Sequence, residues 1–257
     1  MKYLIYIVAF LFLPLTSLQA DVDNEERILY ERAINEYQNN NFEEAHELFE
    51  KLIAGGYSSY KLYYNAGNAA FKTGKIASAV LNYEKALRLK PFREDARYNL
   101  EIARSYTLDK LEVIPEVFFA RWFKIFSLLL HTNTWAFISL GCFALSLVLL
   151  SVFLFSASYR LKKITFYGAV LVFTFSLLSF ALALTNKSLT VNNREAIVFD
   201  PVLTGSSSPG TGGSELFVIH EGTKVEIEDR LGEWYEIRLS DGTVGWVPVN
   251  SIKKIIP

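Results

Sequence analysis

The sequence predicts a multidomain membrane protein in three parts: an all-α repeat array, a two-helix transmembrane hairpin and an all-β barrel. Three observations carry that expectation. Two alanine-centred segments recur 34 residues apart, at Ala45 and Ala79. No Asp, Glu, Lys or Arg occurs in the 35 residues between Lys124 and Arg160. From Leu189 onward the hydrophobic period changes from about 3.6 to 2. A hydrophobic content of 51% and a mean hydropathy above zero exceed what a soluble chain of 257 residues needs, so some apolar surface is expected to face lipid. The formal net charge of −1 supplies no basic field to collect nucleic acid.

The first twenty residues read as an export signal: Lys2, an apolar run from Tyr3 to Leu13, Pro14, and a small-residue end at Ala20. An uncleaved anchor is the alternative, and both readings send residue 21 onward across the membrane. Cys142 lies inside an apolar run, where a lone thiol behaves as a small hydrophobe.

The helical region is expected over 21–112. Phe42, Ala45 and Phe49 set a pattern that Ile76, Ala79 and Tyr83 repeat. Around the second copy, Tyr63, Ala66, Gly67, Phe71, Ala86 and Pro91 alternate large and small residues as paired helices require: Gly67 and Ala79 permit close approach, and the aromatics fill the gaps. On these residues the region resembles the tetratricopeptide repeat (TPR), which implies an all-α TPR solenoid with repeats at about 24–57 and 58–91. The first copy is degenerate, with Ala33 in the place of Gly67 and Gly55-Gly56-Tyr57 in the place of the terminal proline. A capping helix is expected over 94–108, and so short an array is expected to be marginal alone.

The TPR resemblance implies a concave groove lined by the first helix of each repeat. The first helix would supply Tyr30, Ile34 and Tyr37, the second Tyr64, Asn65, Asn68, Phe71 and Lys72, and the third Tyr98, Asn99 and Ile102. Aromatic rings with amides suit an extended peptide; the alternative is that several of these tyrosines only pack between hairpins. Asn65 matches a residue of the carboxylate clamp that some TPRs carry, but Tyr30, Ile34, Asp95 and Asn99 at the other positions speak against capture of a terminal carboxylate.

An interfacial helix is expected over 115–131, where Phe118, Phe119, Trp122, Phe123 and Phe126 mix with Arg121 and Lys124. A single helix through the uncharged run would exceed roughly 50 Å against a hydrocarbon core of about 30 Å, so a break is expected at residues 131–134. Asn133 or Thr134 would then cap a first span over 135–155. A second span is expected over 164–184, with a cytoplasmic loop at 156–163 carrying Arg160, Lys162 and Lys163 under the positive-inside rule. Both flanking domains would be extracytoplasmic, on a multi-pass protein of the cytoplasmic membrane. The spans hold no ionisable residue that would mark a transport path.

The last region, 189–257, alternates as strands at Glu195–Phe199, Thr223–Glu228, Trp234–Leu239 and Val244–Val247, separated by the Ser206–Gly213 loop, Glu221-Gly222 and Asp241-Gly242. About five short strands suggest a small closed barrel. The run from His220 to Ile252, above all Asp241, Gly242, Gly245, Trp246 and Val247, resembles a bacterial SH3 domain, which implies an SH3-like barrel. The same resemblance implies a groove at Trp234, Tyr235, Trp246 and Pro248 for a polyproline helix or, as in similar domains of cell-wall-associated proteins, a peptidoglycan peptide.

Chemistry is not expected. His46, His131 and His220 fall in three separate regions without ligands at metal spacing, Ser206–Ser208 lacks a nucleophile elbow, and Gly205–Gly213 lacks the ending of a phosphate loop. No catalytic, metal or cofactor site is therefore assigned. The order of signal, TPR, two spans and SH3-like domain resembles the BatE-type proteins encoded with von Willebrand A-domain partners in bacterial aerotolerance clusters. That implies a scaffold assembling a membrane complex with such partners. The alternative is a cell-envelope sensor or peptidoglycan-binding module.

Overall fold

In the computed structural model, residues 25–110, 118–191, 194–210 and 212–256 are described. The export signal at 1–20, the start of the expected interfacial helix and residues 192 and 193 lie outside them. The chain divides into two compact units: Met1–Val113 together with Arg194–Pro257, and Ile114–Asn193.

The first unit begins with α1 over 25–38, α2 (Phe42–Ala54), α3 (Tyr60–Lys72), α4 (Ile76–Leu89) and α5 (Glu94–Ser105). Helix α3 starts where the Ser59 side chain accepts from the Leu62 N–H, satisfying one orphan donor of the first turn. The turns α1–α2 and α3–α4 are the same device one period apart: Asn40 and Gly74 sit in the left-handed region at φ 64° and 75°. Gly67 is fully enclosed, and a Cβ there would lie 2.7 Å from the Tyr83 ring, so the α3–α4 crossing requires its absence. Ala33, Ala45 and Phe49 of the first hairpin form a core with Ala66 and Ala69 of α3.

Strands β1 (Glu195–Val198), β2 (Val202–Ser206), β3 (Glu215–His220), β4 (Lys224–Leu231), β5 (Trp234–Arg238), β6 (Val244–Pro248) and β7 (Ile252–Lys254) complete the unit. They form an antiparallel sheet in the order β3-β2-β6-β5-β4-β1-β7. Among the described residues seven strands replace the expected five, and their hydrogen bonding does not close into a ring, since β3 and β7 have one neighbour each. Strand β2 was hidden because Ser206, assigned to a loop, pairs with both Glu215 and Trp246. Gly205 and Gly245 on neighbouring strands leave space that the Phe217 ring fills: a Cβ would stand 2.1 and 2.7 Å from it.

The helical array and the sheet share a core. Ile197 and Ile255 of the sheet are fully buried together with Ala77, Val80, Leu81, Leu100 and Ala103 of the array, with Phe199 packed against them. Burying each such side chain contributes about 1.5–3 kcal/mol, so this contact is structural. The array, expected to be marginal alone, is thus covered at its last helices by the sheet.

The second unit holds α6 (Phe118–Ser127), α7 (Thr132–Phe155) and α8 (Tyr159–Val191). Helices α7 and α8 are long and apolar enough to cross a membrane. Three boundaries differ from expectation. Helix α7 starts at Thr132 with His131 at the cap position, because the Thr132 hydroxyl is bonded to Asn186 of α8, leaving Asn133 and Thr134 inside the helix. The non-helical connection is only residues 156–158, so Arg160, Lys162 and Lys163 belong to α8. Helix α8, at 33 residues, is also longer than the expected span of 164–184 at both ends. The Asn186 amide donates to the Ser127 and Leu130 carbonyls, at 2.8 and 3.2 Å, and Trp135 Nε1 donates to Ser127 O at 3.0 Å. These bonds satisfy the carbonyls left at the end of α6. Midway, the Ser139 and Ser176 hydroxyls each donate to the other's carbonyl, at 3.0 and 2.8 Å, joining α7 to α8.

Candidate binding surfaces

The first helix of each repeat carries one polar contact forward. Asn65 of α3 donates to the Tyr30 hydroxyl at 2.7 Å, and one period later Asn99 of α5 donates to the Tyr64 hydroxyl at 3.2 Å. Asn68 Oδ1 then accepts from Tyr83 at 2.7 Å and Asn99 at 2.9 Å. With those bonds made, the Tyr30 and Tyr64 hydroxyls keep their protons to donate, while Asn65 Oδ1 and Asn99 Oδ1 keep acceptor capacity. A ladder of alternating donors and acceptors is the complement of an extended main chain.

A cleft of about 340 Å³ lies beside this ladder, lined by Tyr37, Tyr64, Asn68, Phe71, Lys72, Tyr83, Asn99 and Ile102. Seven of the residues expected in the groove meet there. Tyr83, which belongs to a second helix and is not among the expected groove residues, joins them. Four expected residues lie elsewhere: Tyr30 packs on Phe49 and lines a different cleft with Lys61 and Leu62, Ile34 packs in the first-hairpin core, Asn65 is held by Tyr30, and Tyr98 is 65% exposed. Burial pushes the Tyr83 hydroxyl well above the ordinary tyrosine range, and burial likewise raises Tyr37, so these two phenols stay protonated donors. Lys72 stands 5.9 Å over the Phe42 ring and supplies the cation at the groove's edge.

On the sheet, register divides the expected groove residues. Trp234 pairs with Pro248, Glu236 with Trp246, and Tyr235 with Val247. Alternation therefore puts Trp234, Trp246 and Pro248 on one half-buried face, while Tyr235 enters the core with Val247 and Ile237. Tyr235 leaves the expected groove for that reason. Ser251, beside this face, is buried, and its carbonyl accepts from the Phe199 N–H.

A polar cluster that sequence reasoning missed joins array to sheet. Asp109 accepts from the His220 N–H at 2.6 Å and the Thr223 hydroxyl at 2.6 Å, and lies 2.9 Å from His220 Nδ1. Burial opposes its ionisation, but the Thr223 and His220 hydrogen bonds outweigh that and hold the carboxyl below its ordinary range. Nearby, Glu195 is bridged by Lys224 at 2.9 Å and Arg88 at 2.8 Å, and Glu84 by Lys224 at 3.2 Å and by Arg104. Gly222, at φ 84°, comes so close that a Cβ would stand 2.6 Å from Thr107. No spacing rule links residues over a hundred positions apart, so only the Glu221-Gly222 turn was legible.

Some of the polar side chains weighed for chemistry have identifiable settings. His46 is buried in α2, its Nδ1 lacks a partner, and burial lowers its pKa below the ordinary value, leaving it neutral. Ser207 and Ser214 tie off the β2–β3 hairpin. Among the described residues no three His, Cys, Asp or Glu side chains converge as a metal site would require.

Two family models match parts of the chain: the tetratricopeptide repeat over residues 60–92 and the bacterial SH3 domain over residues 207–253. No curated protein and no solved structure matches the chain. A TPR repeat and a bacterial SH3 domain suggest, at the level of class, interaction with protein or peptidoglycan.

Proposed function

We propose that this chain is a non-catalytic, membrane-anchored scaffold whose array groove holds an extended segment of a partner protein. The observation that carries the reading is the repeated Tyr–Asn ladder beside the Tyr37, Phe71 and Lys72 cleft: rings for area, amides and phenols for the main chain, and one lysine for an acidic side chain. Helices α7 and α8 would anchor it. Bacterial SH3 domains are typically extracytoplasmic, which supports placing the first unit outside the cytoplasmic membrane with the α7–α8 connection inside. Within this reading the order of parts fits a BatE-type role, in a complex with membrane-bound von Willebrand A-domain proteins.

A second reading, peptidoglycan binding by the sheet, draws on the shared face of Trp234, Trp246 and Pro248. Capture from membrane extract and from isolated sacculi by the full chain separates the two. Under the scaffold reading, Asn99→Ala with Phe71→Ala abolishes capture of a membrane protein, and Trp246→Ala leaves it intact. Sacculus binding lost only in Trp246→Ala would overturn it.

A further inference from the structure

We propose that the α7–α8 end of the hairpin is a binding site for the phosphate headgroup of an anionic phospholipid, an assignment that rests on the membrane reading of α7 and α8. A cleft of about 340 Å³ opens there between Phe153 of α7 and Tyr159, Lys162, Lys163, Phe166 and Tyr167 of α8. Its lining separates by chemistry. The Phe153 and Phe166 rings lie 5.4 Å apart, and Tyr167 stands edge-on to Phe166 at 5.6 Å, an apolar floor suited to the first carbons of acyl chains. Two ammonium groups and two phenol hydroxyls border it, all able to donate to phosphate oxygens. The half-buried Lys162 can run its methylene stem along the rings and keep its charge at the rim.

The charge census says what kind of ligand is needed. Residues 118–191 contain Arg121, Lys124, Arg160, Lys162, Lys163 and Lys187 but not one Asp or Glu. Lys162 and Lys163 therefore have no carboxylate on α6, α7 or α8 to neutralise them, which leaves their charge available to an external anion. Around the cleft Phe155 is 88% exposed, Ile164 69% and Tyr159 80%, a surface that calls for hydrocarbon with amphipathic phenols at its boundary. An anion reached from such a surface is a lipid headgroup.

The test reconstitutes the full chain in phosphatidylcholine vesicles carrying a trace of photoreactive phosphatidylglycerol or, in parallel, photoreactive phosphatidylcholine, and maps adducts by mass spectrometry. The expected result is labelling within residues 153–167 that favours the glycerol headgroup, is competed by unlabelled phosphatidylglycerol and is indifferent to inorganic phosphate. Lys162→Gln is expected to reduce it about fivefold, matching ~1 kcal/mol for one cation at an anionic surface. Lys187→Gln leaves it unchanged. Equal labelling by both headgroups, competition by inorganic phosphate, or cross-links from this segment mainly to protein would each overturn the proposal. A chain that does not float with the vesicles would instead sink the membrane reading itself, and Lys162→Gln is accepted only if its flotation and melting match the parent chain.

Discussion

At Gly67 a single missing carbon decides whether α3 and α4 can cross. The Tyr83 ring occupies the place a Cβ would take, 2.7 Å away, and the Tyr83 hydroxyl is held by Asn68, so the ring cannot swing aside without losing that bond. Gly67→Ala gains about 1 kcal/mol of helix propensity but costs about 1–3 kcal/mol in overpacking, so the balance is destabilising. Thermal melting of the first unit is expected to fall by a few degrees, roughly 2–4 °C per kcal/mol at this size, and a melting point at or above that of the parent would refute the packing argument. The functional consequence is specific, because Tyr83 and Asn68 both line the groove. Under the proposed scaffold function, a shifted Tyr83 would alter partner capture before the array unfolds.

At the level of elements, the sheet takes the position of a further repeat. In the first repeat Glu50 accepts from Asn82 of the next repeat's second helix at 2.9 Å. Its equivalent one period later, Glu84, accepts from Lys224 of β4, while Ile197 and Ile255 cover the apolar surface that another hairpin would cover. A terminal repeat needs such a cover, and Asp109 closes the edge of the contact. Asp109→Asn is expected to lower stability by about 1–3 kcal/mol, since Thr223 and the His220 N–H lose a charged acceptor. The folded-state pKa of Asp109 is depressed, so its contribution is present above the unfolded value of about 3.9 and lost as pH falls through the lower folded value. The melting difference between parent and variant should hold at pH 5 and shrink below about pH 4; a difference unaffected by acid would mean the carboxylate charge is irrelevant. The legible elements were those whose signal is local: the Ala45/Ala79 period, the uncharged run of α7, and the alternation of β4 to β6. Strands β2 and β3 were not legible, because Gly205, Ser206 and the serine-rich turn read as loop and gain their order from Phe217 and from pairing across the sheet. The lining of the array cleft follows repeat spacing, whereas Tyr235 turns into the core because a strand's face is decided by register, which Val247 supplies. Helix α8 likewise opens with Arg160, Lys162 and Lys163 at the positive end of its dipole, a local conflict that pattern reading resolved by leaving them in a loop.

For the whole molecule, chain connectivity constrains topology. The segment before α6 and the segment after α8 fold into one unit with a common buried core, so the chain must leave that unit and return to it. Under the proposed membrane reading, two spans satisfy that requirement, and one or three do not. Within that reading the cations at the start of α8 would select which side the connection occupies. In a chain carrying Cys142→Ser, single cysteines are placed at the exposed positions Glu101, Asp241 and Ser158. An impermeant maleimide applied to intact cells should label Glu101→Cys and Asp241→Cys together, and Ser158→Cys only after permeabilisation. The inverse pattern would leave the shared core intact and reverse the orientation. Labelling of Glu101→Cys without Asp241→Cys would be more damaging, because array and sheet cannot pack Ile197 and Ile255 between them from opposite sides of a membrane.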